Sequence, residues 1–130
     1  MTLLAQMALG ITLLVVASLV QFWGLMRLHS YAETHSHKTY RVVGLIATLA
    51  TIHLGQVLLW AVVLHAFAAD LADWNDAVYF SLVTYTTVGY GDVTLGPEVR
   101  IFGAMASFAG ILGFGMSTAF LVSLFTRARL

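Results

Sequence analysis

Charge is what this sequence has least of. Six Lys or Arg and six Asp or Glu residues make up 9% of its 130 positions, where a water-soluble domain carries about 25%. A surface facing water over most of its area is therefore excluded. With 60% hydrophobic residues and a strongly positive mean hydropathy, the solvent this chain is built for is a bilayer. Cysteine is absent, which removes both a disulfide framework and a thiolate metal site. The charges cancel to a formal net of zero, and no basic tail or patch is extended enough for nucleic acid. A cleaved leader over the first apolar run is disfavoured, because the opening Met1-Thr2-Leu3-Leu4 has no basic n-region and the run exceeds the roughly 7–15 residues of a signal core.

What is present is apolar length. Three stretches, about Thr2 to Leu28, Val42 to Ala69 and Val99 to Phe125, each exceed the about 20 helical residues that cross a hydrocarbon core of ~30 Å. A fourth apolar segment, Trp74 to Val83, is too short to cross and fits a re-entrant or interfacial piece. Asp70, Asp73, Asn75 and Asp76 stand at or before its first turn, where acids favour the positive end of a helix. A short helix followed by Gly-rich backbone at membrane depth is tolerated only inside protein or beside a water-filled cavity. The order is thus helix, helix, half-helix plus loop, helix.

The bases set an orientation. Arg27, Lys38 and Arg41 lie between the first two spans, and Arg127 and Arg129 follow the third. Between spans two and three stand Asp70, Asp73, Asp76, Asp92 and Glu98, with Arg100 the single base. The positive-inside rule then makes the first connection and the C-terminus cytoplasmic and puts the N-terminus outside. A multi-pass protein of the inner (plasma) membrane is expected. Trp23, Trp74 and Tyr40 are candidate interfacial anchors, with Trp60 too deep for that use.

Between the half-helix and the third span runs Thr86-Thr87-Val88-Gly89-Tyr90-Gly91-Asp92. Glycines at 89 and 91 allow backbone conformations that a Cβ penalises. Thr87-Val88-Gly89-Tyr90-Gly91 resembles the potassium-channel signature letter for letter, and the aromatic-led helix Ala77-Val78-Tyr79-Phe80-Ser81-Leu82-Val83-Thr84 precedes it as in that family. The resemblance covers roughly Ala61 to Phe125. It implies an all-α membrane protein of three transmembrane helices plus a re-entrant pore helix and a selectivity-filter loop, assembling as a tetramer. Residues 1–40 would form a peripheral helix and cytoplasmic loop. Residues 41–130 would form the pore domain, with outer helix 41–69, pore helix 74–85, filter 87–91 and inner helix 99–125.

The implied chemistry is ion dehydration. Backbone carbonyls of Thr87, Val88, Gly89 and Tyr90, with the Thr87 hydroxyl, would replace the hydration shell of K+ without net charge, while Val88 and Tyr90 turn their side chains outward to pack and set the width. The half-helix would aim the negative end of its dipole at the dehydrating cation. No cofactor is implied beyond the permeant K+, and no enzymatic activity. The partners expected are the bilayer and three further copies, since one chain supplies a quarter of a carbonyl ring; a different companion subunit is the alternative.

The resemblance also marks Gly110, in Ala109-Gly110-Ile111, as the glycine at which the inner helix bends on opening, and Ala119 and Ser123 as residues of the cytoplasmic mouth. Gly103, Gly110, Gly113 and Gly115 equally form, with Ala104, Ala106, Ser107 and Ala109, a small-residue face for close packing. Phe120, Leu124 or Phe125 would narrow the mouth. Two departures bear on filter support, for which Thr86, Asp92, Phe80 and Val83 are the relevant positions. Val83 stands where some bacterial relatives carry a Glu, and Phe80 is assigned to the aromatic that in many relatives is a Trp bonded to the filter's aspartate. Asp92 thereby loses usual supports, with Tyr79 and Tyr85 the candidates to replace them.

The first span holds no Arg or Lys before Arg27, so it is not a voltage sensor; a brace outside span two is expected. The few residues after the third span leave no cytoplasmic ligand domain in this sequence. His29, His35 and His37 read as part of a solvated cytoplasmic loop, with a proton or metal sensor as the remote alternative. His53, Gln56 and His65 read as hydrogen-bonding glue between spans one and two. A weakly selective or silent cation-channel subunit is the nearer alternative, because of the altered surroundings of Asp92.

Overall fold

The computed structural model describes residues 2–34 and 38–127, with side chains described up to 28 and from 42 to 126. Its helices are α1 (Leu3–Thr34), α2 (Lys38–Phe67), α3 (Trp74–Tyr85) and α4 (Arg100–Arg127), with a 3₁₀ turn at Ala69–Leu71 between α2 and α3. Three of them contain apolar spans, Leu3–Leu28, Val42–Phe67 and Arg100–Thr126. The chain is an all-α, three-span, multi-pass membrane protein.

Two boundaries differ from the sequence reading. The second span ends as α-helix at Phe67, and the 3₁₀ turn takes over before Asp73. The expected polar loop after Leu28 is largely helical, since α1 continues to Thr34 and α2 begins at Lys38. Neither Gly nor Pro, the residues with the highest helical penalty, interrupts 28–34 or 38–43. His29 falls in this extension of α1, outside the described side chains together with Lys38, Tyr40 and Arg41; His35, His37 and Arg129 lie outside the described residues.

The short helix α3 organises the packing. Asp73 caps it with extended backbone, its carboxylate accepting the Asn75 N–H at 2.6 Å, which satisfies one of the orphan donors of a helix start. α3 wedges between α2 and α4, and around it lies one core of Trp60, Leu64, Leu71, Ala77, Tyr85, Phe102, Ala106 and their neighbours. Beyond its end the three long helices meet directly through Leu25, Leu28, Leu45, Leu49 and Leu124. α1 was expected outside span two; it packs more extensively on α4 than on α2. Trp60 is fully buried in the α3 core, while Trp23 and Trp74 are exposed.

Small residues let α4 approach α3. Phe80 and Leu95 close over Gly103, the Ser107 hydroxyl donates to the Thr84 carbonyl at 3.0 Å, and Gly110 lies directly against the Tyr85 carbonyl. A Cβ at 110 would overlap that backbone oxygen, which cannot rotate away as a side chain can. Overpacking of this kind costs about 1–3 kcal/mol. Gly110→Ala is therefore expected to lower the thermal stability of the purified protein despite alanine's better helix propensity. Gly55→Ala, on an open face of α2, is expected to raise it slightly by the propensity gain. Equal melting of the two variants would show that the α3–α4 contact is looser than described.

Candidate functional site

The segment after α3 is held through the last carbonyls of that helix. Thr86 N–H and its hydroxyl donate to the Leu82 carbonyl at 3.0 and 2.7 Å, and Thr87 N–H donates to the Thr84 carbonyl at 3.0 Å. The Val83 carbonyl accepts both Val88 N–H at 2.9 Å and Gly89 N–H at 3.2 Å. Val83, noted for its apolar side chain, thus acts on the segment through its backbone. Helix ends leave four carbonyls without intrahelical partners, and this chain uses them to turn sharply into an extended run.

Within that run Thr87, Gly89 and Gly91 have positive φ, of 63°, 54° and 78°, while Val88 and Tyr90 do not. Glycine takes the left-handed region freely, but for β-branched Thr87 it is a strained conformation. Left-handed residues thus alternate with ordinary ones along 87–91. No Cβ neighbours lie near Gly89 or Gly91 in the single chain. Val88 and Tyr90 are 52% and 72% exposed, so both side chains stand largely open.

Asp92 closes the segment. The Tyr79 hydroxyl donates to its Oδ2 at 2.6 Å. Of the two tyrosines considered as replacements, Tyr79 makes the bond, and Tyr85 is engaged elsewhere, with Gln56 and His53. Phe80 packs on Gly103 of α4 and lies partly buried against the core. The Tyr79 bond holds the Asp92 carboxyl below its ordinary 3.8 and, reciprocally, raises the Tyr79 hydroxyl.

On α4, Ala119 and Ser123 are both exposed, and they continue a face that includes Phe108, Ile111, Leu112 and Gly115. Leu124 turns away into the core with Leu25 and Leu45, whereas Phe125 is exposed. Residues 52–127 match the pattern of a family described as ion channel. The chain belongs to that family. The match includes α3, the 86–92 segment and all of α4, which gives the channel a transport function and not an enzymatic one. No curated protein and no solved structure matches the chain. Among the described residues, no group of three or more His, Asp or Glu is arranged to hold a metal ion.

The channel also contains polar contacts that reading by motif missed. His53 reaches Tyr85 and Ser117, on α3 and α4, and not span one; Gln56 does bond Gln21 of α1. His65 accepts or donates at neither helix, its Nδ1 lying 2.9 Å from the Leu71 carbonyl and its ring stacking on Trp74. The signal for Gln21 and Ser117 was a polar residue near mid-span on each of two helices, which must find a partner in protein.

An acid limb follows from Asp92. A carboxyl with a depressed pKa contributes stability above its ordinary value that is lost as pH falls through the depressed one. Tyr79→Phe removes the first cause of that depression, so the Asp92 midpoint is expected to move up toward 3.8. NMR titration of the side-chain carboxyl checks this. An unmoved midpoint would mean that Tyr79 is not its partner in the bilayer.

Proposed function

We propose that this ion channel is potassium-selective and that each chain is one of four identical subunits around a central pore. Thr87, Val88, Gly89, Tyr90 and Gly91 form its filter, with K+ held by the carbonyls of Thr87, Val88, Gly89 and Tyr90. Residues 41–130 are the pore domain, with α3 the re-entrant pore helix and the exposed face of α4, including Ala119 and Ser123, the pore lining. Residues 1–40 brace it from outside. The carrying observation is the alternation of left-handed backbone at 87, 89 and 91 within a letter-for-letter signature hung from the C-terminus of α3. Such alternation aims carbonyls one way, and a ring of them can replace a cation's water without net charge.

Other features support the reading. Val88 and Tyr90 are exposed apolar side chains for which neighbouring subunits are the natural cover. Five of the six acids lie between α2 and α4, where they raise the local cation concentration at an outer mouth. The bases flank the opposite ends of the spans, consistent with an outside N-terminus and a cytoplasmic C-terminus. Thr86 supports the filter through its bond to Leu82 and Asp92 through Tyr79. Gly110 has a packing role against Tyr85; we assign it no bending role, since a glycine lowers the cost of bending without requiring it.

The test is the reversal potential of purified protein in planar bilayers under opposed potassium and sodium gradients, with subunit number read by native mass spectrometry. A potential close to the potassium equilibrium value and a mass of four chains are expected. Gly89→Ala, which places a Cβ on left-handed backbone, is expected to abolish selective current while leaving the tetramer. A potential near zero in the unmodified protein would favour the weakly selective alternative. Silence together with a lower subunit number would point to a different companion subunit.

A further inference from the structure

Away from the 87–91 segment, five polar side chains from all four helices close on one another, and counting donors fixes their directions. The Tyr85 hydroxyl donates to Gln56 Oε1 at 2.9 Å. Its single proton is thereby committed, so its oxygen accepts from His53 Nδ1, 2.9 Å away. Neutral His53 with its proton on Nδ1 has only a lone pair at Nε2, and Ser117 Oγ, at 3.0 Å, must donate to it. Ser117 Oγ accepts in turn from Gln21 Nε2 at 3.0 Å, and Gln21 Oε1 accepts from Gln56 Nε2 at 2.7 Å. Each residue donates to the next: His53, Tyr85, Gln56, Gln21, Ser117 and back to His53. The remaining Gln21 proton goes to the Gly113 carbonyl at 2.6 Å.

We propose that this closed ring is a proton-sensitive clamp on the foot of the filter, with His53 its titratable positioning residue. The proposal rests on the reading of 87–91 as the filter. Tyr85 is fully buried, its carbonyl lies against Gly110, and the run begins two residues later, so whatever fixes Tyr85 fixes the point from which the run departs. The ring ties that point to α1, α2 and α4 at once. Hydrogen bonds at low dielectric strengthen one another, and a ring with one member reversed loses that mutual support.

A proton added at His53 Nε2 reverses one member. Nε2–H then faces the Ser117 hydroxyl donor-to-donor, and the hydroxyl must turn to another acceptor. The Gly113 carbonyl one turn back is already taken by Gln21, so the disturbance passes to the α1–α4 contact. Among the described residues nothing nearby compensates the charge. The groups facing His53 are Tyr85 from α3, Ser117 and the stacked Phe114 ring (4.4 Å) from α4, and, one bond further, Gln56 of its own helix and Gln21 of α1. None is charged, and Tyr85 is the one other titratable member.

The test uses the reconstituted channel, read from about pH 8 to about pH 4, a window that extends below the ordinary range of imidazole because no charge faces the ring. Losing one net hydrogen bond shifts a two-state equilibrium constant by about fivefold, so selective potassium flux is expected to fall in acid, by up to about that factor. His53→Gln retains a donor and an acceptor but cannot titrate, and its flux, normalised to its own alkaline value, is expected to be flat. Ser117→Ala, which removes the group that protonation displaces, is expected to lose the same acid response. Independently of current, solid-state NMR of ¹⁵N-histidine-labelled protein in bilayers, assigned by difference against His53→Gln, is expected to show neutral His53 protonated on Nδ1. An Nε2–H tautomer, a wild type without acid response, or an acid response retained in His53→Gln would overturn the clamp. A reversal potential near zero at neutral pH would instead overturn the filter reading, and the tautomer measurement would still decide the ring.

Discussion

A helix that ends among other helices, and not in water, leaves its last carbonyls to be satisfied by the chain itself. That requirement governs this molecule. α3 stops at Tyr85 beside the middle of α4, next to Gly110 and Gly113. Its carbonyls at Leu82, Val83 and Thr84 accept from Thr86, Thr87, Val88, Gly89 and Ser107. The bonds from Thr86, Thr87, Val88 and Gly89 also constrain the backbone that follows. Satisfying the helix end and shaping the 87–91 run are therefore one problem with one solution, and buried backbone polar groups make any looser solution costly. The run need not be held by its own side chains, which stand free at Val88 and Tyr90.

The same requirement explains the composition of α4. Its small residues at 103, 106, 107, 110 and 113 follow the helical spacing of a single face, and that face is the one turned to α3 and the ring. A glycine read from sequence as a bend point is seen here as a point of closest approach. The two roles make opposite demands on packing, because a contact tight enough to exclude a methyl group also resists relative movement of the two backbones. The opposite face, through Phe108, Ile111, Gly115, Ala119 and Ser123, is exposed.

Much of this was legible before the structure, and the physical reason is the solvent. In hydrocarbon, apolar length marks a span, so all three spans were readable within a few residues, and Asp73 with Asp76 marked the start of α3. Gly89 and Gly91 were readable as positions of positive φ, because left-handed backbone favours glycine. What was not readable depended on rotation of helices about their axes. Nothing in the sequence says that Tyr79, and not Phe80, turns toward Asp92, although the two are adjacent. Nor does it say that α1 lies chiefly on α4. The largely apolar surface of α1 gives little indication of a preferred face, and its seat is marked by Gln21, whose partners are 92 and 96 positions away at Gly113 and Ser117.

Gln21 also indicates why a third helix belongs to the unit. Between apolar helices in lipid there is little hydrophobic preference for one rotation over another, so polar contacts and small-residue packing carry the specificity. α1 brings one polar side chain that makes three bonds, to Gly113, Ser117 and Gln56, and Gly10 and Gly24 that sit against Met105 and Ile52. Rotating α1 by one residue would withdraw all three bonds and leave amide groups without partners at membrane depth. The first helix is thus registered against the other two by the same residues that fix Tyr85. A brace attached only by apolar contact would slide, whereas one attached through the ring holds the end of α3 in one place.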